Sequence, residues 1–142
     1  MPKNIEKYEI YKTLKVQLKK SITSGFYYQA IFIEYAILED RTNSLLRHAK
    51  LNTENNKGED LSISRKLNKL KSCKPFTNSN IRKKLPIDFI EEIVSWKKQR
   101  DSLIHELAKI KYDDESVSEV ALKGKELIDK YDNTVKRLNK IL

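Results

Sequence analysis

The chain has 142 residues, 39% of them hydrophobic and 35% charged, with a formal net charge of +9. That length and apolar content suit one folded domain with its own core, spanning 1–142, and exclude a disordered polyelectrolyte. The single cysteine, Cys73, excludes an internal disulfide and a cysteine-rich zinc site.

The opening stretch, "MPKNIEKYEIYK", is charged throughout, so no secretion signal is expected in it. A first helix is predicted from about Ile5 to Ser24. Tyr8, Tyr11, Leu14, Leu18 and Ile22 recur at three- and four-residue spacing and should form its buried stripe. Gly25 is a natural stop. Residues 26–48, "FYYQAIFIEYAILEDRTNSLLRH", are apolar around much of the helix in their first half and should form the most buried element. The longest uncharged run, Ser21 to Ile33, has 13 residues. A membrane span needs about 20 apolar residues, so no membrane partner is expected.

Residues 49–60 are polar and Asn-rich and read as a loop. A short helix follows from Leu61 to about Ser72, with Leu61, Leu67 and Leu70 facing inward, until Pro75 breaks the pattern. Residues 80–85 read as another short turn of helix. Pro86 suits the first turn of a long helix reaching about Ile110, with Phe89, Ile90, Ile93, Trp96, Leu103, Leu107 and Ile110 on its buried face. "KYDDES" reads as a turn, with Asp114 or Ser116 as the cap of a last helix to the end of the chain. That helix keeps Val117, Val120, Ala121, Gly124, Leu127, Ile128, Tyr131, Val135, Leu138 and Leu142 on one face, and Gly124 should admit a close neighbour. No segment sustains the period-two alternation of a strand. The predicted fold is all-α, an up-and-down bundle of four long helices with one or two short ones.

The three glycines are isolated, so no phosphate loop exists. Two distant histidines and one cysteine make no zinc spacing. Glu34, Glu39, Asp40, Glu91 and Glu92 could in principle supply a carboxylate metal site, but the Glu-x-x-His pairing of di-iron bundles is missing. No nucleophile motif surrounds a serine or the cysteine. The expected chemistry therefore uses arginine, histidine and carboxylates, with neither metal nor cofactor.

Those residues meet in "WKKQRDSLIHELA", positions 96–108. Asp101 and His105 are four apart on one helical face, where the carboxylate could hold the imidazole and raise its pKa. Arg100 and His105 are five apart, about 140° around the axis, so one helix converges them poorly. Two copies related by a two-fold axis would bring both pairs into one groove. Such a groove suits RNA cleavage by the neighbouring 2′-hydroxyl. Histidine would move the protons, and arginine would clamp the phosphoryl oxygens as charge builds. Lys97 and Lys98 would add non-specific attraction for the strand. A second set, Glu34, Arg41 and His48, repeats every seven residues on the second helix. It reads either as a salt-bridged interface stripe or, through Arg41 and His48, as an auxiliary basic wall of the RNA groove.

With "RDSLIH" in place, the chain resembles the HEPN superfamily, α-helical bundles with an R-x(4–6)-H signature on a late helix and a polar residue directly after the arginine. The second helix also looks like those of small phage- or prophage-type bundle proteins of this kind. The resemblance implies a metal-independent endoribonuclease that dimerises through its motif helices; the lone cysteine fits a cytoplasmic setting. Many such proteins act as toxins or in phage defence, which implies an antitoxin or another mobile-element partner. Arg100 and His105 would then be the catalytic pair, with Asp101 in support. HEPN toxins silenced by nucleotidylation carry R-x4-H-x-Y, whereas Leu107 stands here in place of that tyrosine, so this form of control is not expected. The alternatives are a non-catalytic RNA- or protein-binding bundle, in which the +9 charge attracts polyanions without cleaving them, and a structural helical dimer in which Arg100 pairs with a carboxylate such as Glu92 or Asp101 and no groove forms.

Overall fold

In the computed structural model, which describes residues 2–107 and 114–142, helices dominate the chain. They are α1 (Pro2–Thr23), α2 (Tyr27–His48), α3 (Ile63–Ser72), α4 (Ser79–Lys84), α5 (Ile87–Leu107) and α6 (Asp114–Asn139). Among the described residues no strand forms beyond one isolated bridge between Glu54 and Asp60. None of the described helices is long and apolar enough to cross a membrane.

The turn between α1 and α2 is set by Gly25, whose φ of +76° is left-handed. Its amide donates to the Ile22 carbonyl and the next amide, Phe26, reaches Ser21. This paired closure satisfies carbonyls that the helix end leaves open. The same closure ends α2, where Lys50 donates to Arg47 and Leu51 to Leu46. There the left-handed residue is Lys50, at φ +60°, which costs strain that glycine avoids. In the following loop the Asn55 side chain accepts from the amides of Lys57 and Glu59, so the polar segment carries its own order. Ser62 caps α3 and Asn78 caps α4 through their side chains. Pro86 lies just outside α5, its carbonyl accepting the first helical bonds from Phe89 and Ile90. The last helix is already formed at Asp114, so Ser116 lies within it and is not its cap. The turn expected over residues 108–113 and the position of Ile110 fall outside the described residues.

Helices α2 and α6 form the central pair. Helix α1 packs against both of them, α5 packs against α6, and α3 bridges α2 and α5. The core is the expected α6 face joined to Ile31, Ile37, Leu38, Leu45 and Leu46 of α2 and to Phe89, Ile90, Ile93, Trp96 and Leu103 of α5. Burial of such side chains stabilises the fold by about 1.5–3 kcal/mol each.

Three expectations about the stripes need correction. Tyr8, assigned to the buried stripe of α1, is 66% exposed, lining a cleft beside α6 instead of packing into the core. Leu107 is exposed rather than buried at the end of α5. Leu61 is half-buried just before α3, and Ile63 and Lys66 join Leu67 and Leu70 inside. The fully covered Lys66 ammonium reaches the Asp60 carboxylate at 2.8 Å.

Gly124 does mark a close approach. A methyl group there would fall 2.1 Å from Glu34 Oε1 and 2.7 Å from Trp96 Cζ2. The Trp96 indole N–H donates to the Val120 carbonyl at 2.9 Å, locking α5 to α6 at this level.

Candidate functional site

Arg100 leaves α5 toward the seam with α2. Its guanidinium lies 3.9 Å from the centroid of the Tyr35 ring. Nη1 donates to Asp101 Oδ1 at 2.9 Å, while the buried Nε has no hydrogen-bond partner. Stacking on an aromatic face and pairing with one carboxylate hold the guanidinium plane in a fixed orientation. It retains donors for a further acceptor, and 17% of the side chain remains open to solvent.

Asp101 does not hold His105 in this chain. Its carboxylate takes Lys97 Nζ at 2.7 Å and Arg100 Nη1 at 2.9 Å. Burial alone would raise the Asp101 carboxyl, yet the hydrogen bonds and charges of Lys97 and Arg100 hold it below its ordinary value. The imidazole of His105 is exposed in the last turn of α5, with no hydrogen bond among the described residues. Five positions turn it about 140° from Arg100. The structure therefore brings Arg100, Asp101, Lys97 and Tyr35 together and leaves His105 outside that cluster within one chain.

Lys97 also reaches Ser64 Oγ on α3 at 3.3 Å. Lys98 points elsewhere, into a groove of about 1030 Å³ between α5 and α6. Glu92, Glu106 and Glu119 line that groove against Lys98 and Lys123, so it is mixed in charge and remote from Arg100's face of the helix.

The stripe expected on α2 divides into three environments. Glu34 is fully covered between Gly124 and Trp96, and neither carboxyl oxygen has a hydrogen-bond partner. Burial first, then the Asp129 charge against the opposing pull of Lys125, lifts its carboxyl to about 9. At neutral pH it is an un-ionised acid, which removes the cost of a buried charge. It therefore forms no salt bridge with Arg41. Arg41 turns toward α1, its Nε donating to the Tyr11 hydroxyl and its Nη2 to Asp40 at 3.0 Å. Tyr11 in turn donates to Asp40. His48 is exposed, its Nδ1 2.8 Å from the Ser44 carbonyl of its own helix. Tyr35 and Arg41 are six positions apart, about 120° around α2. Arg41 and His48 thus do not line a groove shared with Arg100.

The α1–α2–α6 side holds a cleft that sequence reading missed. Lys7, Lys12, Lys15, Lys136 and Arg41 line it, with Asp132 at its base. Asp132 is 2% exposed and carries ion pairs with Lys15 and Lys136, each at 3.3 Å. The lysines of α1 were visible as a basic run, but nothing local in sequence joins them to positions 41 and 136.

Among the described residues no group of three or more histidine, cysteine or acidic side chains is placed to hold a metal ion. Cys73 is a half-buried free thiol. No protein-family model matches this chain, and no match was found among curated proteins or among solved structures.

Proposed function

We propose that this chain is an HEPN-like up-and-down bundle acting as a metal-independent endoribonuclease, with Arg100 and His105 as its reactive pair at the groove of a homodimer. The observation that carries the reading is Arg100. It is stacked on Tyr35 and oriented, yet 17% of its side chain stays open to solvent. A guanidinium fixed before its ligand arrives suits a phosphoryl group whose charge grows in the transition state. His105 is exposed and able to exchange protons with a bound ribose.

The 140° between the two side chains requires a second copy. In a two-fold pairing along α5, His105 of one chain would face the seam holding Arg100 of the other. The backbone of a single-stranded or looped RNA can adopt the in-line geometry that attack by the 2′-hydroxyl needs. The net charge of +9 favours its association.

Cleavage of a looped RNA in EDTA tests this. The wild-type chain should cut it, and Arg100→Ala and His105→Ala should each lose about 100-fold or more, the scale of a removed proton-transfer group or anion clamp. Cleavage surviving in both variants would exclude these residues. Light scattering on the same samples should give the mass of a dimer.

A second reading, a non-catalytic RNA- or protein-binding bundle, is favoured by the partners of Arg100, since pairing with Asp101 on its own helix and stacking on Tyr35 of α2 also make an ordinary interhelical brace. It requires salt-sensitive RNA binding with the RNA left intact.

A further inference from the structure

Helix α1 carries a second row of side chains that the core does not use. Ile5, Tyr8, Lys12, Val16 and Lys19 recur at three- and four-residue spacing, so they share one face of the helix. All five are exposed. The row runs for about 21 Å at the helical rise per residue. A face that only meets water has no use for three large apolar side chains in line. Apolar surface of that kind, rimmed by charge, marks a contact with another molecule.

The row borders the cleft between α1, α2 and α6, whose volume is about 550 Å³. Tyr8, Lys12 and Val16 line it from α1 and Lys136 from α6, with Asp132 buried at its base. Arg41 is braced there by Tyr11 and Asp40, so the floor is set before any partner arrives. Five cations line the cleft against Asp132, while Asp40 and Asp129 stand behind the wall in ion pairs with Lys7, Arg41 and Lys15. Those five cations exceed the three acids by two positive charges. Lys12 and Lys19 have no ion-pair partner among the described residues, so both are available to an outside anion.

The surface selects among possible occupants. A second copy laid on the same row would bring lysine against lysine. An RNA backbone supplies negative charge but nothing to cover Ile5 and Val16. A lipid surface supplies both, yet a flat bilayer does not enter a cleft recessed between helices. A convex rod with an apolar strip between two lines of carboxylates satisfies every feature. We propose that the α1 row and the cleft beside it dock an acidic amphipathic helix of a partner protein. Its apolar strip lies on Ile5, Tyr8 and Val16, and its carboxylates meet Lys12, Lys19 and Lys136. About four turns of partner helix match the length of the row. The surface uses no residue of α5, so it stands apart from the ribonuclease reading.

Fluorescence anisotropy with the full chain and a labelled synthetic peptide tests this. The peptide has about 16 residues, with leucine at every third or fourth position, glutamate on both sides of that strip and alanine elsewhere. A second peptide scrambles the same composition so that the strip is broken. The wild-type chain should bind the patterned peptide at least about tenfold more tightly than the scrambled one. Lys12→Glu should weaken binding by about tenfold. Tyr8→Ala and Val16→Ser should each weaken it by about fivefold or more, the scale of a lost apolar anchor. All three residues are exposed, and circular dichroism should show unchanged helix content. The Lys83→Glu/Lys84→Glu variant removes more positive charge than Lys12→Glu, but on α4, and should bind the peptide as the wild type does. The proposal is overturned if the scrambled peptide binds equally well, or if the α4 variant loses as much affinity as Lys12→Glu. It is equally overturned if Tyr8→Ala and Val16→Ser have no effect, or if the patterned peptide does not bind. Single-stranded RNA or phosphatidylserine vesicles that bind more tightly than the peptide, and lose that binding in Tyr8→Ala, would also overturn it.

Discussion

Arg41 and Arg100 use the same device in opposite ways. Each guanidinium lies over a tyrosine ring, 4.4 Å from the centroid of Tyr11 and 3.9 Å from that of Tyr35. Arg41 commits Nε to Tyr11 and Nη2 to Asp40, with Nη1 facing Asp132. Arg100 commits one nitrogen to a neighbour on its own helix and leaves Nε without an acceptor. The first arginine ties three helices together. The second is held in place with 17% of its side chain still open to solvent, and a binding or catalytic cation must be both oriented and reachable.

The largest effect should come from breaking the first. Arg41→Ala leaves Asp132 buried without its only α2 cation, and loss of one partner of a buried pair costs about 3–5 kcal/mol. Urea denaturation should show that loss. A change below about 1 kcal/mol would mean that the Lys15 and Lys136 contacts suffice for Asp132.

Next comes Gly124→Ala, which drives a methyl group into Glu34 and Trp96. Overpacking costs about 1–3 kcal/mol, partly offset by the better helix propensity of alanine. Combining it with Glu34→Ala should recover much of the loss, because the clashing oxygen is gone. An additive double variant would contradict that contact.

Glu34 also sets a pH dependence. Its folded value of about 9 lies above its ordinary 4.5, so the folded state holds a proton that the unfolded state releases. This stabilising contribution is complete below pH 4.5 and is lost as pH rises through 9. Glu34→Gln should flatten the stability profile across that window in thermal melts, while leaving the steeper acid-side losses of Asp40, Asp101 and Asp129 in place. Those carboxyls are held low, so their stabilisation fades as pH falls.

Arg100→Ala should cost about 1 kcal/mol or less, since its carboxylate partner is 39% exposed. This is the sharpest form of the comparison: a small stability change alongside a large loss of cleavage separates Arg100 from Arg41. The smallest effect is Lys50→Gly, which should gain about 0.5–1 kcal/mol by placing glycine at the left-handed end of α2.

Much of the helix content was legible because its signals are local. The α6 stripe from Val117 to Leu138 and the break at Gly25 follow from spacing and backbone freedom alone. The exposed Tyr8 and Leu107 were misread because apolar spacing shows which residues share a face, not how closely a neighbouring helix covers it. The α5 motif could be read for the same local reason, as Arg100, Asp101 and His105 sit within two turns. Tyr35 carried no such signal, since its ring meets Arg100 across 65 positions of chain.

The sequence by itself determined the helices, the turns that end them and the identity of the arginine and histidine on α5. The tertiary structure decided what those charges do. Helix packing laid Arg100 on Tyr35, turned Arg41 toward α1 and sealed Glu34 behind Gly124. The reason is physical: periodicity fixes angles around one axis, whereas ion pairing and desolvation depend on distances between axes, which only the packed bundle sets.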